Sequence, residues 1–160
     1  MRIKEAIRRA EKTKEISRII KNGGFLTSGF VTINPKEKIE KWNLSFYDPE
    51  NEKITSVSVS EGSVKIGVRD KPLHKKIYEP DKAKIKVNAE DALTTAKKEF
   101  KKYRLSPRKI LVSLQKRERE FWNITFITKM GYLINVRIDA ENGNVTKSEK
   151  INIFKVSKAS

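Results

Sequence analysis

The chain has 160 residues, with 36 Lys and Arg against 20 Asp and Glu, and a formal charge of +16. It contains no cysteine and one histidine, His74, which excludes a disulfide framework, a thiolate or histidine metal cluster and a cysteine nucleophile. No apolar run approaches the ~20 residues of a spanning helix. The opening residues Met1-Arg2-Ile3-Lys4-Glu5 lack an apolar leader, so the expected location is cytoplasmic.

Ile3, Ala6, Ile7 and Ala10 form one helical stripe, whereas Ile16, Ile19 and Ile20 lie about a third of a turn or more away on the same wheel. The N-terminal helix therefore either bends or uses two faces, and Asn22-Gly23-Gly24 ends it. Period-two runs predict strands near 25–34, 40–47, 53–60 and 62–69. Residues 70–84, with Pro72 and Pro80, read as a linker. Asn88 is a suitable N-cap, Glu90 and Asp91 suit a first turn, and Ala89, Ala92, Leu93, Ala96, Phe100 and Tyr103 share a stripe, which predicts a helix over 88–103.

Pro107 closes that helix, and period two returns with Ile110, Val112 and Leu114, then Trp122, Ile124 and Phe126, then Val136 and Ile138. Turn chemistry separates these runs at 116–120, Met130-Gly131 and Asn142-Gly143. The reading is a meander of about four antiparallel strands with one buried face. Ile151–Val156 is either an extra edge strand or a tail.

The two halves repeat. Trp42-Asn43-Leu44-Ser45-Phe46 matches Trp122-Asn123-Ile124-Thr125-Phe126 in polarity at every position. Ile54, Val57 and Val59 correspond to Leu133, Val136 and Ile138, and Ala6-Ile7 with Ala10 to Ala92-Leu93 with Ala96. Three matched blocks in one order imply duplication. The expected fold is α+β: two tandem helix-plus-antiparallel-sheet modules, 1–69 and 85–160, joined by the linker 70–84.

Residues 89–147, with "AEDALTTAKKEF", "FWNITF" and "VRIDAENGNV", resemble the PepSY domain family in the Ala-rich helix, the aromatic strand and the Asp139-Ala140-Glu141-Asn142-Gly143 turn. A weaker copy covers 1–69, where Ser60-Glu61-Gly62 replaces the full turn. The resemblance implies cystatin-like modules and a non-catalytic role, many relatives being peptidase propeptides, inhibitors or ligand-binding regulators. Members are commonly exported or membrane-tethered, unlike the cytoplasmic location expected here.

The charge concentrates in 97–119, where ten Lys and Arg meet only Glu99 and Glu118. Lys97–Lys101 and Lys98–Lys102 are like-charge pairs at i,i+4, a local cost of a few tenths of a kcal/mol each. A field of that sign attracts nucleic acid, anionic membrane or acidic protein. The candidate polyanion-binding residues are Lys98, Lys101, Lys102, Arg104, Arg108, Lys109, Arg117 and Arg119. A solvated basic surface, as in proteins from hot environments, is the competing explanation.

No catalytic, cofactor or metal site is expected. His74 lies in a loop beside Lys75 and Lys76, and Gly62-Ser63-Val64-Lys65 lacks the spacing of a phosphate loop. Asp139 and Glu141 suit turn-shaping better than cation binding. By strand parity Trp42, Phe46, Trp122 and Phe126 face the core, while Phe30, Tyr47, Phe121 and Tyr132 fall on opposite-parity or turn positions. The expected function is binding of a protein or peptide partner, acidic or a peptidase, with the Val57/Val59 strand and Ile151–Val156 as candidate edges for an added strand. The alternative is sequence-nonspecific nucleic-acid binding through 97–119.

Overall fold

The computed structural model describes residues 1–153. Helices α1 (Ile3–Glu11) and α2 (Lys14–Lys21) precede strands β1 (Phe25–Ile33), β2 (Lys41–Asp48), β3 (Lys53–Ser60) and β4 (Ser63–Asp70). A connection with a short 3-10 turn at 82–84 leads to α3 (Ala89–Lys101), then β5 (Pro107–Lys116), β6 (Glu120–Thr128), β7 (Tyr132–Asp139) and β8 (Val145–Asn152). The N-terminal helix does break: Thr13 caps α2 by accepting from the Ile16 N–H, which turns Ile16 and Ile19 inward while Ile3, Ala6, Ile7 and Ala10 of α1 stay buried. The Asn88 side chain caps α3, accepting from the Asp91 N–H at 2.8 Å.

The strands form one antiparallel sheet in the order β4-β3-β2-β1-β5-β6-β7-β8. This corrects the expectation of two tandem helix-plus-sheet modules. The halves meet edge to edge: β1 pairs with β5 from Gly29↔Leu114 to Ile33↔Ile110, which makes the sheet continuous. The physical reason is the edge problem. In either half alone, β1 or β5 would end a sheet as a long strand with unpaired N–H and C=O groups and apolar residues on one face. Period two shows where strands run but not which edges join.

One buried cluster accordingly spans both halves, from Ile3 to Ala140. The tryptophans of the two matching sequence blocks make the join. Trp42 of β2 and Trp122 of β6 reach toward each other over the central β1–β5 pair, with ring centroids 5.9 Å apart. Each indole N–H ties down the chain ahead of its helix, Trp42 to the Met1 carbonyl at 3.0 Å and Trp122 to the Val87 carbonyl at 2.8 Å. Phe46 and Phe126 are also fully buried, as strand parity requires, and Phe126 stacks on Phe100 of α3 at 4.3 Å. Phe121, at the parity opposite to Trp122, is nevertheless buried, with Arg137 covering its ring at 4.1 Å.

The Val57/Val59 strand is no edge: β3 sits between β2 and β4. The true edges are β4 and β8; β4 is mostly exposed, and neither strand carries a buried residue. Ile151 ends the β8 pairing opposite Leu133 together with Asn152, whereas residues 154–156 of the second candidate edge lie outside the described residues.

Candidate functional site

All three helices cover one face of the sheet, so the other face is formed by the outward parity of the strands. Those positions are unusual in the central strands. The pairings Lys65↔Ser58, Ser58↔Asn43, Asn43↔Phe30, Phe30↔Ser113, Ser113↔Asn123, Asn123↔Arg137 and Arg137↔Lys147 draw one row across all eight strands. Its centre is neutral and hydrogen-bonding around one exposed ring, and its cations lie toward the two edges. Ser45 faces Ser56 in the next row, and Leu111 faces Thr125. Exposed sheet faces more often carry Lys, Glu and Arg, which tolerate water and repel stray strands. Short hydroxyl and amide side chains instead leave a shallow trough.

The connection after β4 closes that trough into a groove. Residues 71–78 run over it as a strap, and with Thr27, Ser28, Phe30, Ser45, Ser56, Ser113, Asn123 and Thr125 they enclose about 1060 Å³. That is at the top of the range of small-ligand sites, which are typically ~300–1,000 Å³. Phe30 and Leu111 are 46% and 36% exposed on the floor, and Leu73 of the strap is 95% exposed. Lys71, Lys76, Lys116 and Arg117 form a cationic rim, with Asp70 as the one carboxylate of the lining.

The strap is held mainly at its ends. Tyr78 lies under Lys76 at 5.0 Å and under Arg117 at 5.4 Å. Beyond it the Asp81 N–H donates to the Glu120 carboxylate at 2.8 Å, and Lys82 pairs with Glu11 at 2.5 Å. Among the described residues no backbone–backbone hydrogen bond ties 71–79 to the sheet. Glu120 is only 3% exposed. Burial alone would raise its pKa, but the backbone N–H groups of Asp81 and Glu120 and the Lys116 ammonium outweigh that and hold it below the ordinary 4.5.

Neutral networks shape the floor. Asn135 donates to Asn123 at 3.0 Å and to Thr125 at 2.9 Å, and Gln115 donates to Ser113 at 2.8 Å. Arg137, one strand beyond Asn123, has no ion-pair partner among the described residues, and its buried Nε has no hydrogen-bond partner.

The basic stretch 97–119 divides between the two ends of the sheet. Lys98, Lys101 and Lys102 on α3, Arg104 after it, and Arg108 and Lys109 at the start of β5 lie at one end. Arg117 and Arg119 lie at the other, about 30 Å away along β5 at ~3.3 Å per residue. Arg117 joins the groove rim, whereas Arg119 is taken up by Asp139 at 3.3 Å and Glu141 at 3.6 Å. Lys102 pairs with Glu99 at 2.8 Å; that contact lowers the pKa of Glu99 against its burial, with help from Ser148, and raises that of Lys102.

The Asp139 turn is structural. Its carboxylate accepts from the backbone N–H groups of Glu141 at 2.8 Å and Asn142 at 3.2 Å, and Gly143 supplies the left-handed φ of +80°. The Ala140 carbonyl then accepts from the N–H groups of Lys86 and Val87, both at 2.9 Å, fixing the approach to α3. Among the described residues no group of three or more His, Asp or Glu is arranged to hold a metal. His74 lines the strap side of the groove.

The floor residues were missed as a site from sequence. Their signal was present in the serines, asparagines and threonines at outward positions of β2, β3, β5 and β6, but nothing in the linker's composition showed that it lies across them.

No protein-family model matches the chain. No curated protein matches it either. A solved structure, described as a putative lipoprotein from Clostridium difficile 630, is similar with a TM-score of 0.62 and 14% identity over 94% of this chain and 93% of that one. This likeness concerns the fold, and it corrects the cytoplasmic expectation: the same architecture occurs in a protein described as a lipoprotein. A covalent lipid anchors a protein without adding any apolar helix to its folded body. Among the described residues no helix is long and apolar enough to cross a membrane.

Proposed function

We propose that this is a non-enzymatic binding protein that holds an extended, acidic peptide segment of a partner protein in the groove under the 71–78 strap. The observation that carries the reading is the neutral hydrogen-bonding row across the middle of an open sheet face, flanked by cations. Ser45, Ser56, Ser113 and Asn123 can donate to and accept from peptide groups, Phe30 and Leu111 give an apolar side chain a place to rest, and Lys71, Lys76 and Arg117 meet carboxylates. A lining with one carboxylate, Asp70, and one imidazole, His74, supports binding rather than acid–base chemistry. The PepSY-like motifs support the same role, as a regulator or inhibitor of its partner. The description of the fold neighbour as a putative lipoprotein supports a site of action outside the cytoplasm.

The test is fluorescence anisotropy with a labelled peptide of alternating Glu and Ser, about twelve residues long, and a Lys-Ser twin. The acidic peptide binds and the basic one does not. Ser113→Trp, which fills the floor, weakens binding at least about tenfold, as does Arg117→Glu. Unchanged affinity in a Ser113→Trp protein with wild-type circular dichroism would overturn the assignment.

A further inference from the structure

The corner where α3 ends carries a charge array that the groove does not use. Lys101 ends α3, Lys102 and Arg104 follow it, Arg108 and Lys109 open β5, and Lys129 sits in the β6–β7 turn. Contacts gather these segments into one surface. The Lys129 N–H donates to the Ser106 carbonyl at 3.4 Å, Pro107 pairs with Thr128, and Lys109 Nζ donates to Asn34 Oδ1 at 2.5 Å. Lys97 reaches the Pro35 carbonyl at 3.1 Å, which brings the β1–β2 loop alongside. The surface spans β1, β5 and β6, so it is about 10–15 Å wide at ~4.8 Å per strand.

Two features show that this charge is held against stability. Lys97–Lys101 is a like-charge pair at i,i+4 on α3, whereas Lys102, just past the helix, is paired with Glu99. Arg104 sits at a φ of +53°, in the left-handed region after the helix, where glycine is the least strained residue. Among the described residues Lys101, Arg104, Arg108 and Lys129 have no ion-pair partner.

The same corner projects an apolar tip. Met130, next to Lys129, is 72% exposed. Tyr132 is half-buried under Lys150 at 4.8 Å, so among the described residues this end presents no fully exposed ring for base stacking. A field of cations around one protruding thioether fits a surface with phosphates in a plane and hydrocarbon just beneath it. A nucleic acid offers the phosphates but nowhere for Met130.

We propose that this corner docks the protein on an anionic phospholipid bilayer. Because the corner lies at an end of the strands and the groove lies on a face of the sheet, docking leaves the groove open sideways. The proposal is independent of what the groove binds.

The experiment is co-sedimentation of the full chain with vesicles of phosphatidylcholine alone or with about 30% phosphatidylglycerol, at two salt concentrations, beside a DNA duplex read by anisotropy. Binding appears only on the anionic vesicles and falls with salt. The triple change Lys101→Glu, Arg104→Glu and Lys129→Glu lowers it by about 100-fold or more. Met130→Ser lowers it about tenfold and leaves any duplex binding unchanged. These positions are exposed, and thermal melts report that each variant is folded. Absence of sedimentation with anionic vesicles overturns the proposal. So does wild-type vesicle binding by folded Met130→Ser, or duplex binding tighter than vesicle binding, which assigns the corner to nucleic acid.

Discussion

Glu120→Gln separates the strap anchor from the rest of the fold. The carboxylate side chain is 2% exposed, accepts the Asp81 N–H at 2.8 Å and faces Lys116 Nζ at 3.5 Å. A hydrogen bond to a buried charged group contributes roughly 1.5–3 kcal/mol, and the amide keeps the shape and one acceptor while losing the charge, so the expected cost near pH 7 is about 1–2 kcal/mol. Because the folded-state pKa of Glu120 is lowered below 4.5, its contribution is complete above 4.5 and is lost as the pH falls through the folded value. Urea unfolding of both proteins at about pH 7 and about pH 3 reads this directly. The difference in stability is expected at neutral pH and shrinks toward zero in acid. A gap that persists undiminished near pH 3, or none at pH 7, refutes the reasoning.

Two further substitutions test packing on the helix face. A Cβ at Gly24 would meet the Tyr47 carbonyl at 2.4 Å and the Ile19 carbonyl at 2.7 Å, both backbone atoms, whereas one at Gly29 meets the side-chain ends Ile3 Cδ1 at 2.8 Å and Leu44 Cδ2 at 3.0 Å. Denaturant unfolding should therefore show Gly24→Ala losing about 3 kcal/mol and Gly29→Ala about 1 kcal/mol; the reverse order contradicts the packing. Thr55 is fully buried and its hydroxyl has no hydrogen-bond partner, so Thr55→Val should raise stability by about 1 kcal/mol in the same assay, and a loss instead reveals a partner for that hydroxyl.

Local structure was largely legible in the sequence. The strands expected near 25–34, 40–47, 53–60 and 62–69 fall at Phe25–Ile33, Lys41–Asp48, Lys53–Ser60 and Ser63–Asp70; in the first three one face is buried and alternation is forced. The repeated Trp-Asn-x-x-Phe blocks marked two residues that meet in one core. What the repeat could not show was that β1 would pair with β5, since edge pairing is backbone chemistry that leaves no side-chain period. The site was half legible. The 97–119 charge run is contiguous in sequence, but the ten-residue strand β5 carries the chain from Arg108 near its start to Arg117 just past its end, so the run is split between two ends. The groove depends on where 71–78 lies, and a segment without periodicity carries no signal of the surface it crosses.

The central claim is that the open face of the sheet, and neither an edge nor the basic corner, receives the partner segment. Nitrogen-15 chemical-shift mapping during titration with the alternating Glu-Ser peptide tests it most directly. The account predicts that the largest shifts fall on Phe30, Ser56, Ser113, Asn123 and strap residues 71–78. Shifts confined to the β4 or β8 edge, or to Lys101–Lys109, would contradict it.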